Sequence, residues 1–137
     1  MDEIILAIDP GRDKAGIAVV GRASGTLVRM VVPADQCAKN AIQLAHDHGV
    51  SKIVVGDRTA SADVVKALTS ACGIEIVTVD EHRSSMEGRE RYLRENPGRG
   101  FTRILPVGLR TPDRPFDDYV AEILAARYFR REAKREE

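Results

Sequence analysis

The sequence predicts a single α/β domain over residues 1–137, with a five-stranded mixed sheet and helices on both of its faces. Three observations lead there. The chain opens with three short apolar runs separated by turn residues, the pattern of an antiparallel meander. The middle then alternates helical periodicity with short continuous apolar runs, the pattern of βα units. The length, 137 residues, is that of one ordinary domain, and no repeat or linker divides it.

Ile4 to Asp9 is almost continuously apolar and stops at Asp-Pro-Gly, so it reads as a central strand running into a turn. Gly16 to Val20 and Thr26 to Val32 are the second and third strands, joined by a turn at residues 23–25. Apolar residues then recur at Ala38, Ala41, Ile42 and Ala45, between Asp35 as candidate N-cap and Gly49 as stop, which marks an amphipathic helix. Lys52 to Gly56 is a short buried strand. Residues 61–72 form a second helix, with Val64, Val65, Leu68 and Cys72 on one face and Gly73 closing it. Glu75 to Val79 is the fifth strand. Ser84-x-x-Glu87 has capping-box form and opens a charged helix to Glu95, stopped by Asn96-Pro97-Gly98. Residues 98–115 are rich in glycine, proline and arginine, with Ile104-Leu105 as a candidate short strand. A last helix starts near Phe116 with an apolar stripe of Val120, Ile123, Leu124 and Tyr128, and the tail from about residue 130 is expected to fray or to end as a solvated helix.

A hydrophobic fraction of 43% and a charged fraction of 31% match a soluble globular protein and exclude a disordered chain. No run approaches the ~18 apolar residues of a membrane span. The acidic start Met1-Asp2-Glu3 leads straight into a strand, unlike a signal peptide, so a cytoplasmic location and no membrane partner are expected. Cys37 and Cys72 are accordingly expected to be reduced residues within helices. With 21 basic and 21 acidic residues there is no strongly basic coat. The distribution is uneven, however: sixteen of the basic residues are arginine, and eight of those lie between Arg83 and Arg114. Arginine suits bidentate phosphate contacts; the plainer reading is a solvated charged face.

Carboxylates at strand ends carry the chemical signal. Asp9 terminates a central apolar strand, where a charge is costly unless it is paired or binds a metal; the alternative is a turn carboxylate. Asp57 ends the fourth strand and Glu81 follows the fifth. Open α/β sheets place their sites at these strand ends, and either residue could be a second ligand. Asp117 and Asp118 open the last helix. Asp117 aligns with Val120, Ala121 and Leu124 and should face the sheet, whereas Asp118 aligns with Glu122 and reads as a helix-dipole residue. Acidic side chains gathering one or two Mg²⁺ are what phosphodiester hydrolysis needs. His46 and His48 sit at a helix end, and His82 could touch a substrate. No Cys/His spacing suggests zinc, and there is neither a nucleophile elbow nor a Walker loop.

Ile8-Asp9-Pro10-Gly11-x-x-x-x-Gly16-Ile17-Ala18-Val19 resembles the opening hairpin of the Holliday-junction-resolvase-like proteins called YqgF or RuvX. These are also described as pre-16S rRNA nucleases and are relatives of the RuvC resolvases. Ile53-Val54-Val55-Gly56 is similar to the family's fourth strand. Val79-Asp80-Glu81-His82-Arg83-Ser84-Ser85-x-Glu87 is similar to its Asp-Glu-Arg block, and Asp117-x-x-x-Ala121 with Leu124 to its final helix. The resemblance covers nearly the whole chain. It implies a ribonuclease H-like fold, with Asp9, Glu81 and Asp117 converging on Mg²⁺ or Mn²⁺. Water would attack in line at phosphorus and leave a 5′-phosphate, on branched DNA or precursor ribosomal RNA.

After the fourth strand the family has Leu-Pro-x-Asn-x-x-Gly, whereas this chain has Asp57-Arg58-Thr59-Ala60-Ser61. Other ribonuclease H-like enzymes keep a carboxylate there, so Asp57 stands as a further catalytic candidate. Lys14, Arg58, Arg83, Arg110 and Arg114 are candidate nucleic-acid contacts. Readings from other classes are a non-catalytic module that binds nucleic acid or protein, and an ATP-handling relative. The ATP-handling relatives pair two such domains around the nucleotide, and this chain has room for one. The expected partner is structured nucleic acid, bound by a monomer or a homodimer.

Overall fold

The computed structural model describes residues 2–57, 61–71, 73–97, 112 and 114–136. Five strands, β1 (Ile4–Asp9), β2 (Lys14–Gly21), β3 (Gly25–Pro33), β4 (Lys52–Gly56) and β5 (Glu75–Val79), form one sheet in the order β3-β2-β1-β4-β5. The first three are antiparallel neighbours, and β4 and β5 run parallel to β1. This is the mixed sheet expected from the sequence. The near-continuous apolar run of β1 has a direct cause: the strand is central and covered on both faces.

The helices are α1 (Cys37–His48), α2 (Ser61–Ala71), α3 (Ser84–Glu95) and α4 (Asp117–Glu136). Leu6, Ile8, Ile17, Val19, Ile53 and Val55 point to one face, where Cys37, Ala41 and Ala45 of α1 and Leu68 of α2 cover them. Ile5, Ala7, Ala18 and Val54 point to the other, beneath Ala121, Leu124, Ala125 and Tyr128 of α4. Alanines on both sides of that second contact let α4 lie close to the sheet. Helix α3 rests on α4 through Tyr92, Leu93 and Tyr119, with the two tyrosine rings edge to face at 5.3 Å. Each fully buried Leu or Ile contributes about 1.5–3 kcal/mol, so both layers hold the sheet firmly.

Helix starts differ from expectation. Asp35 does not cap α1; it lies in a short 3₁₀ turn, Ala34–Gln36, and α1 begins at Cys37 with no side-chain cap. The chain turns early because the Ala34 amide donates to the Asp13 carbonyl at the neighbouring strand end. Ser84 does not form a capping box either. Arg83 occupies the N-cap with φ 60°, Ser84 is buried, and Glu87 pairs instead with Arg127 of α4 at 3.0 Å. The amides of Ser84 and Glu87 are satisfied by the carbonyls of Glu81 and Arg83.

At the other end, α4 stays helical to Glu136. Arg131 Nη1 donates to the Thr78 carbonyl at 3.3 Å, and Arg22 pairs with Glu136 at 3.7 Å. Gly49 closes α1 in the left-handed conformation, as its position suggested. Cys37 is a buried thiol, whereas Cys72 and the Ile104-Leu105 segment lie outside the described residues. Among the described residues no helix is long and apolar enough to cross a membrane.

Candidate active site

Asp9 is the last residue of β1, and strand alternation puts it on the α4 face with Ile5 and Ala7. It pairs with Gly16 of β2. On its other side Ile8 pairs with Val55 of β4, and continuing that register by one residue sets Gly56 beside Asp9. Gly16 and Gly56 follow Ala18 and Val54 on the same face. Three adjacent strands therefore present a row of glycine, aspartate and glycine. Both glycines have to be bare. A Cβ on Gly16 would overlap the Asp117 carbonyl at the start of α4, and a Cβ on Gly56 would overlap the Glu81 carboxylate. Two missing side chains thus admit Asp117 and Glu81 to either flank of Asp9.

Glu81 is 1% exposed, unusual for a carboxylate. Its backbone is braced on several sides. The Glu81 amide donates to Asp57 Oδ1 at 3.2 Å, and the Asp57 amide donates to the Val79 carbonyl at 3.1 Å. Arg127 Nη1 donates to the Asp80 carbonyl at 2.8 Å, tying the same turn to α4. Asp57 is exposed, and its carboxylate is engaged with the Glu81 backbone. His82 and Arg83, on the turn into α3, are also exposed.

Asp117 is partly buried, and burial pushes its carboxyl above the usual carboxylate range. A hydrogen bond with its own backbone opposes this, the Asp118 charge adds to it, and Lys14 works against it. Asp118 lies in the first turn of α4, where a negative charge suits the helix dipole, yet it is only 3% exposed, and Arg114 grips it with two nitrogens at 3.3 and 3.2 Å. Arg29 Nε lies 3.5 Å from the same carboxylate. Glu122, one turn on and 5% exposed, takes Arg29 Nη1 at 3.1 Å and the Thr26 hydroxyl. The cause is the position of α4 between the sheet and α3, which buries a wider arc than one apolar stripe.

Of the cationic candidates, Lys14 is exposed at the start of β2 within electrostatic reach of Asp117. Arg83 stands beyond Glu81, and Arg114 precedes α4. Arg58 and Arg110 lie outside the described residues. Sequence reasoning missed Arg29. Its signal was a charge in the inward alternation of β3, opposite Ala18. Across the sheet, burial and then the Asp9 charge push the Cys37 thiol up to about 11, which leaves it inert.

Asp9, Glu81 and Asp117 offer only carboxylate oxygens, the donors that hard cations such as Mg²⁺ and Mn²⁺ take. Glu81 reaches the row through a cradle that a Cβ would fill. The donor type suits a divalent ion. Ligating distances are not preset: among the described residues no three His, Cys, Asp or Glu side chains form a group that could hold a metal.

No family model and no curated protein matches the sequence. Solved structures do match. Thermus thermophilus RuvC in complex with a Holliday junction substrate aligns with a TM-score of 0.60 and 17% identity, over 94% of this chain and 96% of that one. A second T. thermophilus RuvC structure aligns at 0.55 and 15% identity, over 93% and 96%. A ROK family glucokinase from Streptomyces griseus aligns at 0.46 and 14% identity, over 64% of this chain and 36% of that one. The fold is the ribonuclease H-like fold of RuvC.

Proposed function

We propose that this chain is a metal-dependent endonuclease of the YqgF/RuvX kind, cutting phosphodiester bonds in branched DNA or precursor ribosomal RNA. It would act in the cytoplasm as a monomer or a homodimer. The observation that carries this reading is the glycine-aspartate-glycine row, with Asp117 and Glu81 brought in over its two glycines. Asp9, Glu81 and Asp117 would hold Mg²⁺ or Mn²⁺. When bound, such an ion supplies charge neutralisation and Lewis acidity around phosphorus.

The chain's own contribution is positional. Asp9 is carried by the central strand of the sheet. Asp57 fixes the backbone of Glu81. Arg29 and Arg114 hold Asp118, and through it the first turn of α4 that bears Asp117. Lys14, Arg83 and Arg114, with Arg58 and Arg110 from the sequence, would bind phosphates, which positions a strand without reading its bases. The likeness to a RuvC bound to a Holliday junction supports a branched substrate.

The test is incubation with labelled four-way DNA junctions and structured precursor rRNA fragments, in Mn²⁺ or in EDTA, beside Asp9→Asn. Cleavage that needs the ion and disappears in Asp9→Asn is the expected result. The separation of the acidic side chains favours a second reading, a nucleic-acid-binding module without cleavage. Salt-dependent binding by folded protein with no cutting of either substrate would establish that second reading.

A further inference from the structure

Beside the candidate site is an open cleft of about 610 Å³, between the start of β2, the outer strand β3 and the approach to α4. Its basic lining is Lys14, Arg29 and Arg114, and its apolar lining includes Val31, Pro33 and Pro115. Asp13 and Asp118 also border it. Asp118 is almost fully buried, whereas the two arginine side chains are 30% and 42% exposed. The carboxylate therefore lies behind and the guanidinium groups in front.

Both guanidinium groups converge on one oxygen, Asp118 Oδ2, from Arg29 Nε at 3.5 Å and Arg114 Nη2 at 3.2 Å. Each is also stacked. Arg29 lies 3.9 Å from the Tyr119 ring centroid, and Arg114 lies 5.0 Å from that of Tyr92. Arg29 binds Asp118 and Glu122 through Nε and Nη1, and neither ion pair uses Nη2. Asp118 and Glu122 hold the two guanidinium groups in place, and the exposed Lys14 adds a charge at the same opening that neither carboxylate takes up in an ion pair. Lys14 joins it to the candidate site, since its charge also acts on Asp117. The volume falls within the ~300–1,000 Å³ of clefts that hold small ligands, which suits one nucleotide and not a duplex.

We propose that this cleft receives one unpaired nucleotide adjoining the cut bond. Its phosphate lies among Lys14, Arg29 and Arg114, and its sugar or base lies against Val31, Pro33 and Pro115. The ligand's identity rests on the nuclease reading. The consequence is selectivity for strands already peeled from a duplex, at branch points or loops.

The test is binding, measured by fluorescence anisotropy in Ca²⁺ on the full chain. The probes are a plain duplex and the same duplex carrying a short single-stranded flap. Lys14→Glu and Pro33→Glu place a negative charge at exposed positions of the cleft and leave the buried Asp118 pairs intact. Wild type should prefer the flap by about tenfold or more, and both variants should lose most of that preference. Lys14→Ala should lower the salt slope on the flap by about 0.7–0.9. In a ¹⁵N spectrum, pentathymidylate should shift the amides of Lys14 and residues 29–32. No flap preference in wild type, preference retained in both glutamate variants, or shifts confined to other strands would each overturn the cleft. Flap binding through the cleft without Mn²⁺-dependent cutting would sink the nuclease reading and leave the cleft standing. Cutting with preference unchanged in the variants would do the reverse.

Discussion

Gly56 has no side chain, yet it governs where Glu81 can sit. Gly56→Ala should push the Glu81 carboxylate off the row and cost about 1–3 kcal/mol of stability from overpacking. Metal-dependent cleavage should fall about tenfold or more, the scale of misplacing one group at a reacting centre. Kinetics alongside urea denaturation would separate the two effects. Arg29 predicts a different balance. Arg29→Met leaves Asp118 and Glu122 buried with one cation fewer, and because Arg29 is partly exposed the loss should lie toward ~3 kcal/mol, the low end for a broken buried pair.

Asp117 gives a pH signature. Its folded carboxyl sits above the unfolded value of 3.8, so its contribution to stability is present below that value and is lost as pH rises through the folded value. Asp117→Asn should therefore melt higher than wild type near neutrality, and the difference should vanish in acid, as read by thermal denaturation across pH. Cys37 should resist thiol reagents at mildly alkaline pH in a Cys72→Ser background until the protein unfolds, since burial keeps it protonated.

Asp9 and Glu81 stood out in the sequence because a carboxylate at the end of an apolar strand is anomalous, and their role as metal ligands is the proposal that the titration below tests. The burial of Asp118 and Glu122 was not legible because a helical wheel assumes one buried side, and α4 has the sheet on one side and α3 on the other. Their partner Arg29 is remote in sequence, so no local pattern could announce the pairing.

Strands were the most legible elements. β1 and β4 are short unbroken apolar runs, and full burial on both faces leaves little else they could be. Helix ends were less legible, since capping patterns at Asp35 and Ser84 compete with backbone partners that only the folded chain supplies. The amides of Ala34 and Ser84 find the carbonyls of Asp13 and Glu81 instead. The charged tail extends α4 to Glu136 for the same kind of reason, because Arg131 reaches across to the end of β5. Truncation after Phe129 removes that bond and the Arg22–Glu136 pair. Exposed pairs contribute about 0–1 kcal/mol each, so the melting temperature should drop modestly. Far-UV circular dichroism should lose helix without loss of the fold.

At the scale of the whole molecule, the proposed site rests on three distant parts of the chain that end around the glycine-aspartate-glycine row. β1 brings Asp9, the turn after β5 brings Glu81 past Gly56, and α4 crosses β2 at Gly16 to bring Asp117. The antiparallel meander and the central place of β1 could be anticipated from the apolar runs, whereas the order β3-β2-β1-β4-β5 is seen only in the folded chain. The role of the two glycines could not be anticipated, because their need for bareness is set by what the rest of the fold lays over them.

The most direct test of the shared site is Mn²⁺ titration followed by electron paramagnetic resonance, on wild type and on Asp9→Asn, Glu81→Gln and Asp117→Asn. One site in wild type, weakened about tenfold or more by each substitution, is the predicted result. Binding that ignores two of the three substitutions, or no binding by folded wild type, would contradict the account.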